Sequence, residues 1–330
     1  MFFSKLALVT LAFTGISLAV PTSNTLEKRT ARTSAPTGCL SVQADTTTSG
    51  WYQTVASAVA SLSGTADACI FIYSGTYTEQ IAIEYGGALT VYGYTTDTGS
   101  YKNNAVTITH TISSSAAGSL DASSTLQVKS SNFKMYNINV ANGYGSSAQA
   151  VALTANGDQQ GYYGCKFDGY QDTLYAKSGY QYYSNCYIAG ATDYIFGDAS
   201  AWFGGCTIAS KAGGAITASS REVATDTSWF VIDDSTVTAD TGVSLSQNVY
   251  LGRPWRVLAR VIYQNSVLTG VVAPEGYTTM ATDATPIYME YNNSGDGADT
   301  SERVDFTATD SAVSKDTLWP AGYAWIDTSY

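Results

Sequence analysis

Two aspartates occupy the same position of a repeat in this chain. Cys165 and Asp172 are seven residues apart, as are Cys186 and Asp193, and each member of the first pair precedes its counterpart by 21 residues. A period near 20 residues is typical of a β-solenoid, in which every coil stacks on the previous one. Residues one period apart then lie about 4.8 Å apart, the spacing of hydrogen-bonded strands. The repeat therefore predicts two carboxylates side by side on one surface, an arrangement that costs electrostatic energy.

The strand positions of this repeat continue along much of the chain. Six short motifs start 27, 21, 20, 29 and 31 residues apart, namely Ile138-x-Val140, Cys165-x-Phe167, Cys186-x-Ile188, Cys206-x-Ile208, Ser235-x-Val237 and Ser266-x-Leu268. A solenoid allows such variation, because insertions lie in the loops between its strands. An up-and-down barrel would need tight hairpins instead, of which Asn142-Gly143 is a weak example. We expect an all-β chain folded as a single-stranded parallel β-helix.

A short helix and several strands are predicted ahead of these motifs. Apolar residues follow helical spacing at Trp51, Val55, Val59 and Leu62, and Gly64 is placed to end the helix. Such a helix would cover the open N-terminal end of the solenoid core. Strands are expected over residues 68–73, 88–92 and 106–109.

The first 35 residues are expected to lie outside this fold. Lys5 precedes an apolar run over residues 6–18, and small residues end at Ala19, which is typical of a signal peptide over residues 1–19. A membrane anchor is the alternative, but the run is shorter than the ~20 residues that span a bilayer. A dibasic site at Lys28-Arg29 indicates that residues 20–35 form a pro-segment or flexible N-terminus. Residues 36–330 are then the folded domain of a secreted, extracellular protein.

Charge and composition limit the partners and cofactors. The net charge of −11 argues against nucleic acid, whose phosphates need a basic surface. No later stretch is apolar enough to cross a membrane, and no Cys-x-x-Cys motif or Cys/His cluster suggests zinc. Asn292-Asn293-Ser294 is a glycosylation sequon on a predicted loop. We expect a monomer.

The five cysteines leave at least one thiol unpaired, although a secreted chain is expected to form some disulfides. Cys165, Cys186 and Cys206 lie about one coil apart and are predicted to form an interior ladder, with neighbours close enough for a bond. The sequence leaves open whether Cys186 bonds to Cys165, to Cys206 or to neither. Cys39 and Cys69 are the other two cysteines.

Any hydrolytic chemistry is predicted to use carboxylates. His110 is the single histidine, and no Gly-x-Ser-x-Gly motif occurs, which disfavours a Ser-His-Asp or Cys-His mechanism. Asp172 and Asp193 are the candidates, because two like charges one strand spacing apart cannot both ionise freely and one pKa rises. If a cation holds the other ionised, the two aspartates become a proton donor and a nucleophile.

Three polar residues fall in phase with the aspartates. Arg253 lies about two coils beyond Asp193 and is the candidate cation, and Pro254 stiffens the turn that would present it. Gln149 and Gln171 are 22 residues apart, close to one coil, and their amides would form an oxyanion hole beside a carboxylate. Each residue taken singly is more simply explained as a turn or corner residue, so the hypothesis depends on their common phase.

Aromatic side chains are predicted beside the same site. Tyr175 and Phe196 each lie three residues after an aspartate, so they should stack as the aspartates do. Aromatic faces suit sugar rings, although core packing explains Phe196 equally well. Trp255, two residues after the candidate cation, is predicted to line a groove.

Together these residues resemble a known family. The segments that carry the resemblance span roughly residues 50–306 and are Gly75-Thr76-Tyr77-Thr78-Glu79, Gln149-Ala150-Val151-Ala152-Leu153, Gly169-Tyr170-Gln171-Asp172-Thr173-Leu174-Tyr175, Asp193-Tyr194-Ile195-Phe196-Gly197, Leu251-Gly252-Arg253-Pro254-Trp255 and Glu290-Tyr291-Asn292-Asn293. In order and spacing they are similar to those of the pectin methylesterases, and the lack of the plant inhibitor domain resembles the secreted fungal type. The resemblance implies a right-handed β-helix that removes methyl esters from galacturonan without a metal cofactor.

The resemblance also implies a role for each residue of the site. Asp193 would be the nucleophile and Asp172 the general acid and then the general base. Gln149 and Gln171 would stabilise the oxyanion, and Arg253 would hold Asp193 ionised and oriented. The positions expected to bind substrate are Trp255, Tyr175, Phe196 and Thr125.

Two other functions fit the predicted fold. A β-helix glycoside hydrolase or lyase on galacturonan would also use paired acids, but glycosidic cleavage does not need an oxyanion hole, and the Asn-Thr-Asp and Gly-His-Gly signatures of galacturonan hydrolases are absent. A non-catalytic, wall-binding solenoid would explain the repeats and aromatic residues but not the stacked aspartates with their donors. The predicted partner is a polysaccharide, methyl-esterified pectin.

Overall fold

The structure, a computed structural model, describes Met1 and residues 30–330. In this part of the chain, three parallel sheets run side by side, and the chain visits each sheet once per coil. Strands that pair within a sheet are therefore about one coil apart in sequence, as Leu153, Leu174 and Ile195 are. The architecture is the parallel β-helix that the repeat predicts.

The strands of the described residues are as follows, each sheet in spatial order. Sheet 1 contains β1 (Leu40–Val42), β2 (Ala68–Ile72), β5 (Leu89–Gly93), β8 (Phe133–Tyr136), β11 (Gln160–Tyr163), β14 (Tyr180–Ser184), β17 (Ser200–Gly204), β20 (Trp229–Asp233), β23 (Arg260–Gln264) and β25 (Ile287–Tyr291). Sheet 2 contains β4 (Ile81–Ile83), β7 (Leu126–Val128), β10 (Leu153–Asn156), β13 (Leu174–Ser178), β16 (Ile195–Gly197), β19 (Gly214–Ser219) and β22 (Val249–Gly252). Sheet 3 contains β3 (Gly75–Thr78), β6 (Val106–His110), β9 (Asn139–Asn142), β12 (Lys166–Asp168), β15 (Tyr187–Gly190), β18 (Thr207–Ser210), β21 (Thr236–Ala239) and β24 (Val267–Leu268).

Helices are short in the described part of the chain. They are α1 (Val55–Ala60), α2 (Ser114–Ala117), α3 (Leu120–Ser123), α4 (Lys315–Leu318) and one 3₁₀ turn at Tyr101–Asn103.

The six apolar motifs occupy equivalent places in sheet 3, as predicted. Their second members pair from coil to coil and are fully buried, in the order Val140, Phe167, Ile188, Ile208, Val237 and Leu268. Each coil therefore covers the apolar face of the one before it. Every Å² of apolar surface buried in this way stabilises the stack by about 25 cal/mol. The length differences between motifs lie in the turns.

The cysteines divide into two groups. Cys165, Cys186 and Cys206 are buried free thiols in the interior ladder that their spacing predicts. The disulfide joins the other two, Cys39 and Cys69, whose Cα atoms are 4.6 Å apart at the pairing of β1 with β2. None of the bonds considered for the ladder is therefore present.

The predicted N-terminal helix forms, but it is shorter than the apolar spacing indicates. α1 covers Val55–Ala60, and Trp51 lies before it, where its ring stacks on a neighbouring tyrosine. The carboxylate of Glu79 accepts hydrogen bonds from the N–H groups of Val55 and Ala56 at 2.9 and 2.8 Å. This carboxylate satisfies free N–H groups of the first turn, which stabilises the helix start. The proposed role of the helix as a cap of the solenoid end stays a prediction.

The N-terminal end of the described chain is held against the coils. Arg32 exchanges backbone hydrogen bonds with Thr95 at 2.9 and 3.0 Å, and its guanidinium lies 4.7 Å from the ring centre of Tyr92. The expectation of a pro-segment or flexible N-terminus over residues 20–35 stays a prediction. The predicted signal peptide and dibasic site lie outside the described residues. In residues 30–330, no helix has the length and apolar character needed to cross a membrane.

Two segments depart from the repeat. α2 and α3 form an excursion between β6 and β7, and the C-terminal segment with α4 packs on the outer face of sheet 1. Trp319 is fully buried there and donates from Nε1 to the carbonyl of Ser200 at 3.1 Å. Periodicity predicts neither segment, because neither follows the period.

Candidate active site

Asp172 and Asp193 lie in successive turns that lead from sheet 3 into sheet 2. Two residues after them, Leu174 pairs with Ile195, so the aspartates hold the same register position one coil apart. Both have a left-handed backbone, with φ of 66° and 50°, which aspartate tolerates better than most residues. Both line one cleft over sheet 2. The structure thus brings together the two carboxylates that the repeat predicts.

Asp193 forms a bidentate ion pair with Arg253. The Nε of Arg253 donates to Oδ1 at 2.8 Å and Nη2 donates to Oδ2 at 2.6 Å. Arg253 directly follows β22, and its backbone N–H donates to the carbonyl of Thr217 in β19 at 2.9 Å. The hydrogen bonds to Asp193 raise the pKa of Arg253 above its ordinary value. Because the guanidinium fork bonds to both carboxylate oxygens, the Asp193 side chain is held in one orientation.

Asp172 is bonded to an amide instead of a cation. The Nε2 of Gln149 donates to its Oδ2 at 2.8 Å, and Asp172 is only 3% exposed. Burial and then the charge of Asp193 raise the pKa of Asp172 to about 7, against the smaller lowering effects of the Gln149 bond and of Arg253. Asp172 therefore carries a proton in acid and loses it near neutral pH, which suits a group that both gives and takes protons.

Gln149 and Gln171 are stacked on neighbouring coils. Their backbones pair in parallel, and Gln171 pairs in turn with Thr192. The side-chain amide of Gln149 donates one of its two N–H groups to Asp172, and the second N–H can donate to another acceptor. Thr192 precedes Asp193 directly, as Gln171 precedes Asp172, so the three residues hold one register position on successive coils.

The three predicted aromatic residues form one cluster at the cleft. The rings of Tyr175 and Phe196 are stacked, with centres 4.3 Å apart, and Trp255 lies 5.8 Å from Phe196. Phe196 is 2% exposed, whereas Tyr175 and Trp255 are half-buried. Phe196 and Trp255 line the cleft, and Tyr175 packs on Phe196 beside it.

The cleft has a cavity volume of about 60 Å³. It is lined by Leu120, Gln149, Asp172, Asp193, Phe196, Ala218, Trp255 and Met280. The sequence analysis did not identify the apolar residues Leu120, Ala218 and Met280. Ala218 pairs with Phe196 in sheet 2, so extending the register would have found it. Leu120 and Met280 lie in non-repeating segments and leave no periodic signal.

Thr125 is the predicted substrate-binding residue that the structure keeps away from the cleft. Its side chain is fully buried, and its hydroxyl donates to the carbonyl of Ala141 at 2.9 Å. Thr173, two coils later, donates in the same way to the carbonyl of Ala189. Thr125 therefore belongs to a repeated interior contact, which explains its hydroxyl without a ligand.

Comparison with known proteins gives a consistent assignment. A model of the pectinesterase family matches residues 41–320. The probable pectinesterase A of Aspergillus niger is 61% identical over 307 residues, which cover 92% of this chain and 93% of the relative. Pectinesterase A of Emericella nidulans is 59% identical over 305 residues, with the same two coverages.

Solved structures agree with these matches. The crystal structure of the pectin methylesterase from Aspergillus niger has a TM-score of 0.89 at 61% identity and covers 91% of this chain and all of its own. The pectin methylesterase from carrot has a TM-score of 0.76 at 30% identity, covering 84% of this chain and 90% of its own. The chain belongs to the pectinesterase family.

Proposed function

We propose that this chain hydrolyses the methyl esters of pectin, releasing methanol and leaving pectate, with Asp193 as nucleophile and Asp172 as acid and base. One observation carries the proposal: two aspartates at equivalent positions have different partners. Asp193 is bonded to Arg253 at 2.8 and 2.6 Å, whereas Asp172 is buried beside Gln149 with a pKa of about 7. Family membership supplies the ester as substrate, and this asymmetry supports the roles.

In the first step, a carboxylate oxygen of Asp193 attacks the carbonyl carbon of the ester. The carbonyl π bond opens, and its electron pair moves to the oxygen. In this proposal, Gln171 and the second N–H of Gln149 donate to this oxyanion, as preorganised donors do in acyl transfer. Arg253 keeps the attacking carboxylate oriented.

In the second step, the tetrahedral intermediate collapses. The bond from the carbonyl carbon to the methoxy oxygen breaks, and protonated Asp172 gives its proton to that oxygen, so that methanol leaves. A mixed anhydride between Asp193 and the galacturonate carboxyl remains, and Asp172 is now ionised.

In the third step, ionised Asp172 takes a proton from water. The resulting hydroxide attacks the galacturonate carbonyl, and the bond to Asp193 breaks. The product is a free carboxylic acid, which loses its proton to solvent and becomes the carboxylate, while Asp172 is protonated again for the next turnover. One group with a pKa near 7 serves both transfers, because its two protonation states are close in free energy.

The aromatic cluster supports the choice of a polysaccharide. Tyr175 and Trp255 present ring surface beside the carboxylates, and Phe196 packs against both. Planar aromatic faces match the apolar faces of sugar rings. We assign Tyr175, Phe196 and Trp255 to substrate binding and leave Thr125 out, since its hydroxyl is bonded in the interior.

Methanol release from methyl-esterified pectin tests the function directly. The chain is incubated with pectin, and methanol, new reducing ends and unsaturated products are measured together. We expect methanol without chain shortening. New reducing ends would indicate a glycoside hydrolase and unsaturated ends a lyase, while binding without any product would indicate a wall-binding solenoid.

Secretion, processing and a monomeric state belong to the same proposal. The predicted signal peptide and the exposed sequon residue Asn292 are consistent with export and glycosylation. N-terminal sequencing of protein from the culture medium should begin after Ala19 or after Arg29, and light scattering should give the mass of one chain. An intact N-terminus on cell-bound protein would refute export.

A further inference from the structure

A second arginine–carboxylate pair lies outside the cleft and has no part in the proposed reaction. Arg303 donates from Nε to Oε1 of Glu290 at 2.7 Å and from Nη2 to Oε2 at 3.1 Å. The two side chains are 1% and 2% exposed. A buried ion pair contributes little net stability, because desolvation offsets the attraction, and apolar residues of similar size often replace it without loss.

The guanidinium of Arg303 also binds the chain that crosses above it. Nη1 donates to the carbonyls of Ala273 and Pro274 at 3.3 and 2.9 Å. At Gly276, where φ is +65°, an added Cβ would lie 2.2 Å from the Cδ of Arg303. The chain thus passes directly over the arginine, and the ion pair fixes residues 273–276 to β25, which carries Glu290.

The same segment continues as a partner of the strand that ends at Arg253. Leu251 donates from its N–H to the carbonyl of Gly276 at 2.6 Å, and Thr278 donates to the carbonyl of Gly252 at 3.1 Å. These two bonds lie on the last residues of β22. Two residues after Thr278, Met280 lines the cleft. The ion pair is therefore connected, through one short segment, to the backbone that presents Arg253 to Asp193.

We propose that Glu290 and Arg303 are positioning residues of the active site. Their ion pair holds residues 273–278, and this segment holds the end of β22 so that the Arg253 fork meets Asp193. The inference rests on the proposed role of Arg253 in the esterase reaction. Loosening the pair is expected to lower the catalytic rate more than substrate binding, because a small displacement of a positioning group acts on the transition state.

A double-mutant cycle on kcat for methanol release tests this connection. Arg303→Lys keeps the charge but loses the fork, and should lower kcat about 10-fold with KM changed less than about twofold. In an Arg253→Lys background, the same change should lower kcat less than about twofold, because the group through which Arg303 acts is already impaired. Equal losses in both backgrounds would overturn the proposal. Arg32→Lys, which loses contacts to Gly93 and Asn137 near the N-terminal coils, is the matched control with parental kcat.

A second variant separates positioning from stability. Glu290→Met combined with Arg303→Met removes the pair without leaving a buried charge. Loss of the bonds to the carbonyls of Ala273 and Pro274 should lower its thermal midpoint, so kcat is compared well below that temperature, where the variant is folded. Its kcat should still fall about 10-fold, and parental kcat would overturn the proposal even if Arg303→Lys fails to fold. No methanol from the parent would refute the esterase function, whereas an active parent with additive losses refutes only the positioning role.

Discussion

Two successive coils of this β-helix carry an aspartate at the same register position but give it different surroundings. Asp172 and Asp193 share a left-handed backbone and precede paired residues of sheet 2. Arg253, at a strand end two coils further along, donates hydrogen bonds to Asp193. Gln149, from the coil before, donates one to Asp172. The repeat therefore sets where the acids stand, and the neighbours that reach them set what each can do.

The largest expected loss of activity follows from replacing Asp193, the proposed nucleophile. Asp193→Asn should lower kcat for methanol release by about 10⁴-fold, since an amide cannot form the anhydride. The thermal midpoint should confirm that the variant is folded. Asp234→Asn is the matched control, because Asp234 also has a left-handed backbone, with φ of 47°, but is exposed. A loss in kcat of less than tenfold for Asp193→Asn would refute the assignment of Asp193 as the nucleophile.

The two glutamines sharpen the comparison, because only one of them is bonded to an aspartate. Gln149→Ala and Gln171→Ala should each lower kcat by about 10²–10³-fold, the usual effect of removing an oxyanion donor. The hydrogen bond from Gln149 lowers the pKa of Asp172. Its removal should therefore move the alkaline limb of the pH profile of kcat/KM to higher pH, whereas Gln171→Ala should leave the limb in place. Equal limbs would show that this bond does not act on Asp172.

Replacing Arg253, which is bonded to Asp193, by another cation is expected to lower kcat less than the changes above. Arg253→Lys should lower kcat about 10²-fold, because a lysine cannot hold both oxygens of Asp193 in one orientation. KM for pectin should change less than about threefold. Steady-state kinetics checks both values, and a larger change in KM than in kcat would assign Arg253 to substrate binding instead.

The smallest expected effect is a pH-dependent change in the free energy of unfolding, caused by Asp172. Because folding raises the pKa of Asp172 from 3.8 to about 7, the folded state binds the extra proton between these values. The contribution of this group to stability is therefore lost as the pH rises from about 4 to about 7. Asp172→Asn removes this loss and should gain about 4 kcal/mol relative to the parent between pH 4 and pH 8. Urea unfolding at both pH values measures it, and a constant difference would refute the raised pKa.

Much of the fold followed from the sequence, because a solenoid repeats its packing in each coil. The ladder from Val140 to Leu268 could be placed by counting residues, and so could the aspartates. α3 and the C-terminal Trp319 could not, because contacts outside the repeat depend on tertiary packing alone. α1 is shorter than the helix that the apolar spacing predicts, because Trp51 lies before it and packs on a tyrosine.

The site was predicted in outline for the same reason. Phase alone brought Arg253 near Asp193, but it could not give the bidentate geometry or the bond from Gln149 to Asp172. Those depend on side-chain rotamers. The direction of the Thr125 hydroxyl, which bonds to the carbonyl of Ala141, could not be predicted from phase either.

The division of roles between the coils is tested most directly by titrating Asp172 itself. The carboxyl ¹³C shift of Asp172 is followed from pH 3 to pH 9 in protein with labelled aspartate, in the parent and in Asp193→Asn. The parent should titrate near pH 7, and the variant at a lower pH, because the charge of Asp193 contributes to the raised pKa of Asp172. A parental transition near pH 4, or the same midpoint in both proteins, would refute the division.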